Sequence, residues 1–139
     1  MPIELSWDDT DKTLLLVESS GSWTWEEYHD ALNRIAEMIR GENHRVDMIT
    51  FSRADSVRPS GSAMPHYQQA LRILPANTGI HVIVNTSAIA RSIVSIFLRL
   101  NRNRTSGMVV LAGSLEDARK VIQKDRIQTL PTAKNGRSR

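Results

Sequence analysis

Apolar side chains in this sequence switch repeatedly between a spacing of two residues and a spacing of three to four. That alternation admits few folds besides a sheet with helices packed on it. Ile3, Leu5 and Trp7 alternate with Glu4 and Ser6, and after the polar stretch Asp8-Asp9-Thr10-Asp11 the run Thr13-Leu14-Leu15-Leu16-Val17-Glu18 resumes. Two strands joined by a tight turn are expected, and the second, apolar on both faces, belongs inside a sheet.

The next segment, Ser22-Trp23-Thr24-Trp25-Glu26-Glu27, has the composition of a capping box. The Thr24 hydroxyl would accept from the N3 amide while Glu27 reaches back to the amide of Thr24, with Trp23 and Trp25 as packing anchors. Tyr28, Leu32, Ile35, Ala36 and Ile39 then recur at helical spacing to about Arg40, and Gly41 ends the helix. A third strand follows at Val46-Asp47-Met48-Ile49-Thr50-Phe51, then a loop over residues 52–63. A second helix runs through Tyr67, Ala70, Leu71 and Leu74 to Pro75. His81-Val82-Ile83-Val84-Asn85 reads as a fourth strand with parallel neighbours. Ile89, Ile93, Ile96, Phe97 and Leu100 have helical period, and Gly107-Met108-Val109-Val110-Leu111-Ala112 is a fifth strand. Ser114 and Asp117 open a last helix packed through Ala118, Val121 and Ile122.

The order is therefore β-β-α-β-α-β-α-β-α, an α/β fold on a five-stranded mixed sheet. Strands two to five are parallel, and the first is antiparallel to the second. Crossovers of one hand would gather helices on one face, leaving the other to polar side chains, a remaining helix or a partner subunit. Residues 1–126 are expected to form a single domain, and 127–139 a basic, flexible tail with little to bury.

A chain of 139 residues can bury a core without a staple. The absence of cysteine excludes disulfides, thiolate metal sites and thiol catalysis. Neither a leader peptide nor a membrane-spanning segment is expected, and the composition fits a cytoplasmic protein. The net charge of +3 hides a division: residues 1–89 carry 7 basic and 12 acidic side chains, and residues 90–139 carry 11 basic and 3 acidic ones. That polarity could steer an anionic partner, nucleic acid or an anionic membrane toward the C-terminal half, where Arg99, Arg102 and Arg104 cluster. No aromatic interleaving or sequence-reading motif accompanies them.

In an open parallel sheet the place for chemistry is the carboxyl edge of the strands. There the 52–63 loop gathers Arg53, Asp55, Ser56, Arg58, Ser60 and Ser62 near a helix N-terminus, a candidate anion, phosphorylation or partner site. Ile89, Ile93, Ile96, Phe97 and Leu100 form a candidate interface, because their helix is apolar over a wide sector and could pack on another chain. No phosphate-binding glycine motif is present. His29, His44, His66 and His81 fall in different elements or junctions and are expected to lie apart. Asp8, Asp9 and Asp11 are expected to form a solvated turn. No residue is assigned a catalytic or metal-binding role, and no cofactor is implied.

The element order, with Val46-Asp47-Met48-Ile49-Thr50-Phe51 before the loop and second helix, His81-Val82-Ile83-Val84-Asn85 as fourth strand and Val110-Leu111-Ala112-Gly113-Ser114-Leu115-Glu116-Asp117-Ala118 leading into the last helix, resembles the STAS superfamily. The likeness is to its small stand-alone SpoIIAA-like proteins in particular. Anti-sigma-factor antagonists of that superfamily carry a phosphorylatable serine in an Asp-Ser-Ser-Gly segment. Here Asp55-Ser56 and Ser60-Gly61 are separated by Val57-Arg58-Pro59. The resemblance implies a non-enzymatic regulatory or scaffold module that binds a protein partner, itself, or a small hydrophobic or anionic ligand. A nucleic-acid or anionic-membrane binder and a small enzyme with an unrecognised active site are the alternatives.

Overall fold

The computed structural model describes residues 2–84, 88–102 and 108–129, with the side chains of residues 89, 90 and 129 outside the description. The strands are β1 (Ile3–Trp7), β2 (Leu14–Ser19), β3 (Val46–Ser52), β4 (Thr78–Val84) and β5 (Val109–Ala112). The helices are α1 (Trp25–Arg40), α2 (Met64–Ile73), α3 (Ala88–Leu100) and α4 (Leu115–Thr129). They make one mixed sheet in the order β1-β2-β3-β4-β5, β1 antiparallel to β2 and every later pair parallel. The expected element order and strand directions are both found.

Each turn of chain advances one strand, so α1, α2 and α3 gather over one face of the sheet, as the sequence led us to expect. The remaining helix covers the other face. Leu14, Ile49, Ile80, Val82 and Val84 pack there against Ala118 and Ile122 of α4, so the second face needs no partner subunit to bury it. On the first face, Ile3, Leu15, Val17, Val46 and Met48 meet Ala31, Leu32, Ile35 and Ile39 of α1. Burial of each large side chain there contributes roughly 1.5–3 kcal/mol.

Local chemistry fixes the ends of these elements. The Thr24 hydroxyl accepts from the Glu27 amide at 3.0 Å and the Glu27 carboxylate accepts from the Thr24 amide at 2.9 Å, completing the capping box. At the far end of α1, Asn77 Nδ2 donates to the carbonyls of Ile39, Glu42 and His44, tying the last turn to the chain that leads into β3. The Asp117 amide donates to Ser114 Oγ at the start of α4.

The Asp8-Asp9-Thr10-Asp11 turn is more than a solvated one. Asp9 Oδ1 accepts from the amides of Thr13 and Leu14 at 2.9 and 3.0 Å, and these bonds help hold its carboxyl below the ordinary aspartate value against the opposing effect of burial. Asp8 takes a bidentate pair of hydrogen bonds from Arg119 of α4 at 2.8 and 2.9 Å.

The parallel register breaks once. Val46 faces Thr78 but Met48 faces His81, so β4 carries one extra residue there. The fully buried Asp47 carboxylate fills the irregularity, accepting from the Ile80 amide at 2.8 Å, Arg45 Nε at 2.8 Å and Arg126 Nε at 2.7 Å. A Cβ on Gly79 would stand 2.1 Å from Asp47 Oδ1, so only glycine fits beside it. The bulge also rephases the strand: Thr78 and His81, three residues apart, both border the space under α2, while Ile80, Val82 and Val84 face α4.

Candidate functional site

Helix α1 buries five residues and α2 buries none, although Tyr67, Ala70, Leu71 and Leu74 give α2 an apolar face. That face borders a cavity of about 260 Å³, walled by the sheet, α1, α2 and, through Val94 and Phe97, α3. Met48, Ile83 and Leu32 supply apolar floor and wall. None of the described residues lining it is Lys, Arg, Asp or Glu. A second hollow of about 400 Å³ lies between Pro2 and Ile3 and the α1 residues Glu27, Asp30, Ala31, Asn33 and Arg34, three of which are charged.

The cavity's polar groups come from the strands in a regular way. Thr50 and Ser52 on β3, Ser19 on β2 and His81 on β4 present their side chains to the helix-covered face, at positions where a sealed core would carry aliphatic residues. Thr50 Oγ1 and His81 Nε2 are 2.6 Å apart. Burial lowers the His81 pKa to about 4, leaving the ring neutral at physiological pH. Thr78 Oγ1, also at the bulge, is buried with no hydrogen-bond partner among the described residues.

Aromatic rings close the end nearest the 52–63 loop. Trp23 stacks on Tyr28 with centroids 5.9 Å apart, and Tyr67 meets Phe97 edge-on at 5.4 Å. Burial raises both phenols above their ordinary pKa, the Tyr67 shift opposed by Arg58. Outside this wall, Trp25 stacks flat on His66 at 3.9 Å, and His66 Nδ1 lies 2.7 Å from His29 Nε2. The histidines are thus not all apart: α1 and α2 lie side by side with their N-terminal ends together, which joins two that stand 37 positions apart in sequence. Partial desolvation, then the neighbouring His29, lower the His66 pKa.

The loop residues singled out from the sequence lie at this same end, each with its own attachment. Ser56 Oγ is 3.0 Å from Ser19 Oγ and accepts from Trp23 Nε1 at 3.1 Å, so its hydroxyl joins the cavity's serines to the aromatic wall. Arg53 pairs with Glu18 at 2.6 Å. The Ser60 carbonyl accepts from Trp25 Nε1 at 3.0 Å, and Ser62 Oγ accepts from the Met64 amide at 3.4 Å. Asp55 is exposed and Arg58 half-buried.

The candidate interface divides. Phe97 is buried and Ile93 half-buried, whereas Ile96 and Leu100 are 46% and 71% exposed; the Ile89 side chain, like Arg104 and most of the basic tail, lies outside the described residues. Among the described residues no helix is long and apolar enough to cross a membrane, and no cluster of three His, Cys, Asp or Glu could hold a metal ion.

The cavity was not read from the sequence, because helical periodicity reports which face of α2 is apolar but not how far that face stands from the sheet. A signal did exist in Ser19, Thr50, Ser52 and His81, polar residues on the strand faces that helices cover. No protein-family model matches the chain, and no curated protein resembles it significantly.

Proposed function

We propose that this chain is a non-enzymatic binding module of the SpoIIAA-like kind within the STAS superfamily, and that it takes up a small, mainly apolar molecule between its sheet and α1–α3. The observation that carries this reading is the cavity of about 260 Å³ beneath a helix none of whose residues is fully buried. An apolar cavity of ~150 Å³ accommodates benzene, so this one has room for roughly ten non-hydrogen atoms. The half-buried apolar face of α2 is explained if an occupant completes its packing.

A protein partner is a second reading, supported by the exposed Ile96 and Leu100 on α3. The nucleic-acid reading draws on the basic C-terminal half, of which Arg119 and Arg126 are committed to Asp8 and Asp47.

Calorimetric titration with nonanol and with β-methylnaphthalene, one linear and one planar probe, tests the cavity reading. Saturable binding of at least one is expected, and its loss in Ala70→Phe, which fills the cavity from α2, without loss of thermal stability. No binding of either probe, or undiminished binding by a folded Ala70→Phe, contradicts it.

A further inference from the structure

The lining specifies more than an apolar occupant. We infer that the cavity selects an uncharged ligand with a neutral hydrogen-bonding head, a hydroxyl being the best fit, seated against His81 at the β4 bulge; this rests on the cavity reading above. Three properties of the wall point there.

First, among the described residues no formal charge borders the cavity, so a carboxylate, phosphate or ammonium carried into it would lose hydration without meeting a counter-ion from them. Second, its ionisable groups, Tyr28, Tyr67 and His81, are each held toward the neutral form, so none of them supplies a charge at physiological pH. Third, polarity is nevertheless present and concentrated. The His81 ring, which lines the cavity, is fixed by Thr50 through Nε2, so Nδ1 is the nitrogen it has to offer a ligand. Thr78, on the same strand and lining the same cavity, has a buried hydroxyl with no partner among the described residues. A wholly hydrocarbon ligand would leave both unmatched. A hydroxyl can donate or accept, so it pairs with Nδ1 in either tautomer of the ring.

Groups facing His81 from the packed elements are Thr50 on β3, Thr78 on its own strand, and Tyr67 and Phe97 among the helices walling the same cavity; none carries charge at neutral pH. Arg58 reaches only the loop end, where it acts on Tyr67.

Three naphthalenes of one shape separate the possibilities: β-naphthol, β-methylnaphthalene and β-naphthoate, titrated into the full chain at neutral pH. β-Naphthol is expected to bind about five- to tenfold more tightly than β-methylnaphthalene, the worth of one buried hydrogen bond. β-Naphthoate is expected to be weaker than either, on the order of a hundredfold below β-naphthol. The His81 ring nitrogens should shift in nitrogen NMR with β-naphthol and not with β-methylnaphthalene, and His81→Phe should abolish the preference for β-naphthol while retaining β-methylnaphthalene.

Equal binding of the hydroxyl and methyl compounds, or tighter binding of the anion, overturns the selection of a neutral head while leaving the cavity as a binding site. Failure of all three, together with nonanol, overturns the cavity reading itself. The wild-type ligand comparison decides the matter even if His81→Phe does not fold.

Discussion

Asp47 and Gly79 tie the bottom of the sheet together. Replacing Asp47 by Asn leaves Arg45 and Arg126 facing a neutral group at the bulge and should cost about 3 kcal/mol in denaturant unfolding. Gly79→Ala should cost about 2–3 kcal/mol, because its Cβ would meet a carboxylate fixed by three donors and unable to move aside. Asp47 was visible in sequence only as a polar residue in a strand; its partner Arg126 lies 79 positions away, beyond any local pattern.

His81 makes stability depend on pH in a defined window. The folded ring titrates near 4 and an unconstrained histidine near 6.5, so between these values the unfolded chain binds the additional proton. Stability from this group is complete above 6.5 and falls as pH drops toward 4, by up to about 3 kcal/mol. Chemical denaturation at neutral and mildly acidic pH should show the fall in the wild type and a shallower one in His81→Phe. Equal slopes would mean that the ring is already hydrated in the folded chain.

At the scale of elements, α1 and α2 differ in what holds them. The capping box, five buried residues and the Asn77 clasp anchor α1; the box and four of those residues, Leu32, Ile35, Ala36 and Ile39, were legible, because caps and apolar stripes are written within a few residues. Helix α2 has Ala63 at its cap position and so no side-chain cap there, carries Pro65 in its first turn and has no fully buried residue. Its amides should therefore exchange with solvent roughly tenfold or more faster than those of α1, and should slow when nonanol or β-naphthol is bound. Hydrogen exchange followed by mass spectrometry measures both; α2 protected as well as α1 without ligand would count against a helix whose packing the ligand completes. The same distinction explains what was missed: the pairing of His29 with His66 depends on how α1 and α2 approach, which neither helix encodes alone.

Across the whole molecule, the division of charge along the sequence is partly internal complementarity. Arg119 and Arg126 of α4 return to Asp8 and Asp47 in the acidic first part, clasping the last helix to the sheet. The order of elements followed from the alternation of periods, because each change of period marks a passage between sheet and helix, and the strand directions followed from the handedness of the crossovers. The unequal filling of the two faces did not, since the space between layers depends on side-chain volumes summed over elements distant in sequence. One face is closed by α4; the other holds the cavity.

Strand β4 borders both layers and supplies its own control. Intermolecular NMR contacts between bound β-naphthol and side-chain methyl groups compare the two faces within one sample. The expected contacts are to Ile83, Met48 and Leu71, which line the cavity, and not to Val82, Val84 or Ile49, which pack under α4. Contacts confined to Ile96 and Leu100 on the outside of α3, or to the α4 face, would contradict ligand uptake beneath α2.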